Sequence, residues 1–69
     1  MFIIIELQTN GGETANIVQT AATYDEAMSK FHTVLAHAAI STVEIHSCAV
    51  IAPDANMIAH ECYRHVVGE

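Results

Sequence analysis

The chain has 69 residues, 52% of them apolar and 14% charged, with eight carboxylates against two firmly basic side chains, Lys30 and Arg64, for a net charge of −6 at neutral pH. That length makes a single domain, residues 1–69. The charge balance excludes a grip on nucleic-acid backbone or on an anionic membrane surface, since both take clustered Lys and Arg, so neither is expected as a partner.

Residues 2–8 alternate as a strand, with Ile3, Ile5 and Leu7 on one face and Phe2, Ile4, Glu6 and Gln8 on the other. The opening apolar run lacks a basic flank and reaches Glu6 at once, which predicts a strand and not an export signal. No stretch is long enough to span a bilayer. Asn10-Gly11-Gly12 is a turn, because Gly supplies the positive φ of a tight hairpin. Residues 14–21 return as a polar, small-residue strand suited to a sheet edge. Thr23 and Glu26 form a capping box, each side chain reaching the other's amide. Tyr24, Ala27, Met28, Phe31, Leu35 and Ala38 then recur at helical spacing over 24–39, with Val34 at the margin of the stripe. Asp25, Ser29, Lys30, Thr33 and His37 take the opposite face. Residues 43–52 and 57–66 are two strands joined by Pro53-Asp54-Ala55-Asn56.

The order is ββαββ, an α+β fold: a four-stranded antiparallel sheet with one helix packed on one face. The other face is left bare and cannot be wholly polar, because the first and third strands carry apolar residues on both sides. A chain this short is marginal alone. A homo-oligomer that hides the bare face is therefore expected.

Two His-x-Cys pairs, His46-Ser47-Cys48 and His60-Glu61-Cys62, are the sharpest local signal. Residues two apart on a strand share a face. An odd number of loop residues would bring His46, Cys48, His60 and Cys62 onto one face as a zinc-type ligand set. Read literally, the four-residue turn is the even case and sends the pairs to opposite faces, leaving the thiols as small core hydrophobes. No metal and no cofactor is therefore expected. In a reducing cytoplasm both thiols stay free. A Cys–His nucleophile is disfavoured, since i,i+2 neighbours converge poorly and no oxyanion-forming Gly loop is near, so no catalytic residue and no enzyme is expected. Asn10-Gly11-Gly12 leads into a strand and is not a phosphate cradle. His32 and His37 are not spaced for a shared metal. Tyr63, Arg64 and His65, with His46 across the hairpin, combine an aromatic plane, a planar cation and imidazoles, groups that stack on a base and hold an anion. The plainer reading is an ordinary strand end, with Tyr63 packed and Arg64 solvated.

Ile5-Glu6-Leu7-Gln8, Glu26-Ala27-Met28-Ser29-Lys30-Phe31-His32 with Val34-Leu35-Ala36, and Glu61-Cys62-Tyr63 with His65 resemble a group of short proteins encoded in prophages of Gram-positive gut bacteria. The resemblance implies a phage protein acting in the host cytoplasm and carries over no catalytic residue. In kind, it is similar to small oligomeric anti-defence "sponges" that sequester nucleotide- or ADP-ribose-derived immune signals. On that reading Tyr63, Arg64, His65 and His46 would hold a small anionic, nucleotide-like ligand. The acidity of the chain runs against it, because a pocket for phosphates needs positive potential. The alternative expectation is a virion-assembly or protein-interaction module with no small-molecule ligand.

Overall fold

The computed structural model describes residues 1–65. Strands β1 (Phe2–Asn10) and β2 (Glu13–Ala21) precede helix α1 (Tyr24–Ala39), and β3 (Ile45–Ile51) and β4 (Met57–Arg64) follow it. All neighbours are antiparallel, in the sheet order β2-β1-β3-β4. The fold is thus the expected α+β arrangement, with the helix packed on one sheet face chiefly over β3 and β1. The two strands with apolar residues on both faces are central, and the polar β2 is at an edge, where its outer backbone groups reach water. β3 and β4 are shorter than the expected strands over 43–52 and 57–66, with His65 past the end of β4 and residue 66 outside the described residues.

The first hairpin closes through Gly11 and Gly12, both with positive φ (61° and 84°), the geometry of a two-residue primed turn. Its twist matches that of the paired strands, which is why β1 and β2 run in unbroken register from Phe2↔Ala21 to Asn10↔Glu13.

At the helix start the Thr23 hydroxyl accepts from the Glu26 amide at 3.1 Å. The Glu26 carboxylate accepts from the Ala22 amide, one residue before the amide the capping box predicts. Lys30 donates to the Thr20 carbonyl at 2.8 Å and so ties the helix to β2. The buried stripe is Ala27, Phe31, Val34 and Ala38, and the first three of these form one core cluster with Ile4, Ala21, Cys48 and Val50. The stripe is rotated from its sequence reading. Val34 is buried within it, whereas Tyr24 is 54% exposed at the rim, edge-on to Phe2.

The second hairpin closes over three residues, Pro53–Ala55, with Ala55 donating to the Ala52 carbonyl and Ala52 to the Asn56 carbonyl, both at 2.8 Å. Asp54 accepts from the Asn56 amide at 3.1 Å. The turn requires Ala55 at φ 70°, where a Cβ crowds the backbone. Ala55→Gly should relieve that crowding. Set against the extra chain entropy Gly gives the unfolded state, the gain should be about 0.5–1 kcal/mol, seen as a Tm rise of roughly 2–8 °C.

Candidate functional site

The residues of β1 that face the helix are Phe2, Ile4, Glu6 and Gln8, so a carboxylate follows two core side chains into the interior. Glu6 meets His46 there: His46 Nε2 lies 2.5 Å from Glu6 Oε2, and Gln8 donates to the same oxygen at 2.9 Å. The other ring nitrogen, Nδ1, is 3.0 Å from the Ser41 hydroxyl. His46 is 3% exposed, yet both its ring nitrogens have partners. One proton between Glu6 Oε2 and His46 Nε2 makes their hydrogen bond, and the Ser41 hydroxyl can donate to or accept from Nδ1 to match. The cluster lies beneath the C-terminal end of α1. There the Ala38 carbonyl accepts from the Ser41 amide at 3.3 Å and faces His65 Nε2 at 2.8 Å.

Serine, histidine and carboxylate in a chain of hydrogen bonds have the connectivity of an acyl-transfer triad, but the surroundings have the wrong sign. An oxyanion formed at Ser41 would face the carbonyl end of the helix rather than amide donors. The cluster instead reads as a satisfied polar network that pins β1, β3 and the helix end together. Sequence reasoning missed Glu6, although the signal was present: Glu6 shares a face with Ile4, which is 1% exposed.

His46 pairs with Tyr63 across the β3–β4 register and shares the helix-side face with it. His65 is tied to the helix end through Ala38 and donates its amide to the Glu44 carbonyl at 2.8 Å. Arg64 pairs with Ile45 and points to the opposite face. The structure therefore brings His46, Tyr63 and His65 to one side of the sheet and separates Arg64 from them.

The four-ligand alternative is corrected by the register. The three-residue turn is the odd case and by itself would align the two His-x-Cys pairs. However, β4 carries one extra residue, Ile58, between the Ile51↔Met57 and Val50↔Ala59 pairs. This bulge shifts the pairing by one. Cys48 is then opposite Glu61, and Cys62 opposite Ser47. His46 and Cys48 face the helix, while His60 and Cys62 face away, so the four side chains do not converge.

Burial, reinforced by the negative charge of Glu6, pushes the Cys48 thiol up to about 11. It stays protonated at neutral pH and is inert as a nucleophile. In native protein at pH 8 a thiol reagent should spare Cys48, and in denaturant it should consume both thiols of the chain. Rapid native reaction of two would contradict the packing around Cys48.

On the sheet face away from the helix, the register sets out four rows across β2, β1, β3 and β4: Thr20–Ile3–Ile51–Met57, Val18–Ile5–Ala49–His60, Asn16–Leu7–Ser47–Cys62 and Thr14–Thr9–Ile45–Arg64. Small Ala49 and Ser47 form the floor of a groove of about 270 Å³, walled by Ile5 and Leu7 on one side and by Met57 and His60 on the other. No carboxylate of the described residues lies on this face. Glu6, Glu13 and Glu61 are on the helix side, Asp25 and Glu26 on the helix, and Glu44 and Asp54 in loops. A second hollow, about 260 Å³, lies on the helix side between the β1–β2 hairpin end and Val43, and it carries Glu13 but no cation. No helix among the described residues is long and apolar enough to cross a membrane.

No family model, curated protein or solved structure matches this chain.

Proposed function

We propose that this chain is a non-catalytic binding module of the host cytoplasm that works as a homo-oligomer, with the uncovered sheet face as its working surface. The observation that carries the reading is charge segregation. A chain of net charge −6 keeps every described carboxylate off one face and leaves Ile3, Leu7, Val18 and Met57 there between 38% and 57% exposed. An apolar face of this extent is costly in water and is the usual mark of a contact surface. The like charges of two copies lie on the far sides and at the rims, so they do not oppose contact at its centre. A non-enzymatic role is favoured by the protonated Cys48 thiol and by the carbonyl environment of Ser41. Sedimentation velocity tests the reading. The expected result is one species heavier than the 7.5 kDa monomer across a wide concentration range. A stable monomer at high concentration would overturn it.

Sequestration of a nucleotide-like anion, in the manner of a phage anti-defence protein, is a second reading favoured by one observation. Arg64 stands on the carboxylate-free face, in a row with the paired hydroxyls of Thr9 and Thr14, which are 3.0 Å apart. Such a row suits a phosphate held between copies. Cyclic nucleotides and ADP-ribose should then raise the Tm, and Arg64→Ala should abolish the shift. No shift with any of them would leave the module without a small-molecule ligand.

A further inference from the structure

We infer that two copies pack their uncovered sheet faces together about a two-fold axis parallel to the strands, setting β1 of each copy over β3 of the other. The inference rests on the self-association proposed above and adds its geometry.

Two stacked sheets are related by a two-fold axis lying in the plane between them, and two simple orientations are available. An axis along the strands reverses the strand order and keeps each row opposite itself. In the order β2-β1-β3-β4 it places β1 over β3 and β2 over β4. An axis across the strands keeps the order and sets each strand over its own copy. The rows decide between them by size. With the axis along the strands, Ile5 stands over Ala49 and Leu7 over Ser47, and the same contacts repeat by symmetry. The β1 ridge of each copy enters the other's groove, whose floor is those two small residues. With the other axis the two ridges collide and the two grooves face one another as voids, which close packing does not tolerate.

Charge agrees with size. Arg64 comes over Thr14, beside the Thr9 hydroxyl, whereas the axis across the strands would set it over the apolar Met57. Area agrees too. Strands of seven to nine residues in a four-stranded sheet present a face of roughly 500 Å², so two faces bury about 1,000 Å², the lower threshold for a biological interface. The product is an eight-stranded sandwich with a helix on each outer face. Twist rotates the sheets by about 30°, which keeps the central rows in contact and splays the corners.

The test uses full-length chains on a Cys62→Ser background, since Cys62 lies on this face and Cys48 is buried. Ile5→Lys and Ala49→Glu alter exposed-face positions, so both should keep the wild-type circular dichroism. Each alone should raise the dimer dissociation constant on the order of 100-fold or more, the effect of an unpaired buried charge. Mixed one to one, they should restore a dimer holding one copy of each, because the new cation then stands over the new carboxylate. A cross-linking arm does not depend on those variants. Val18→Cys and His60→Cys chains should join to each other through a short bis-maleimide, with little joining of like to like, because β2 lies over β4. Predominant Val18→Cys self-cross-linking would overturn the axis while leaving self-association intact. A monomer in every arm would overturn both readings, as would a monomer that pellets with neutral lipid vesicles.

Discussion

Glu6→Ala should cost about 3–5 kcal/mol and bring the domain close to unfolding at room temperature. Removing the carboxylate leaves His46 in the interior with Nε2 facing no acceptor, and a buried polar ring without a partner is among the most damaging single changes available. A chain of this size starts near the low end of the usual 5–15 kcal/mol, so most of its stability is at stake. His46→Ala should be similarly severe, because it strands Glu6 and leaves a cavity. The two single losses should not add. Replacing both partners with apolar residues of similar volume, Glu6→Met with His46→Leu, should recover most of the loss or exceed the wild type, because no buried charge remains unsatisfied. Gln8 and Ser41 are only half-buried and can turn to water. Urea titrations of the four proteins measure this. A Glu6→Ala loss under about 1 kcal/mol would mean that the network contributes little.

Phe31→Ala should have the second large effect, about 3–5 kcal/mol, from lost burial and the cavity left behind. Phe31 is 5% exposed and is the largest side chain of the helix stripe. Its loss differs in kind from that of Glu6. One helix is the whole cover of one sheet face, so loosening it uncovers a second apolar surface on a chain that already presents one. The expected observation is a lower Tm together with soluble high-mass aggregate on gel filtration, where Ala55→Gly gives neither. An unaltered Tm in Phe31→Ala would show that the helix is held mainly by its caps and by Lys30.

The same arithmetic explains why the fold was readable and the site only partly so. Alternation, the paired glycines and the helical stripe are local patterns, and each specifies its element within a few residues. The polar β2 and the two-faced β1 and β3 even indicate which strands are edges. The Glu6–His46 contact joins residues 40 apart in sequence, and strand parity gives only half of it. Glu6 is marked as facing inward, but what it meets depends on which strand pairs beside β1.

Sequence alone therefore determined the elements, the helix-covered face and the apolar excess of the other, because periodicity and turn chemistry act over neighbouring residues. Tertiary structure decided which side chains meet. The three-residue turn would have aligned the two His-x-Cys pairs, and one bulged residue, Ile58, sends them to opposite faces. A one-residue shift in a strand costs nothing in local pattern but inverts every side chain beyond it, so only the packing of Ala59 and Tyr63 toward the helix side fixes its register. Strand alternation keeps Arg64 apart from Tyr63 and His65 in any register, and the bulge decides that Arg64 is the one that takes the carboxylate-free face.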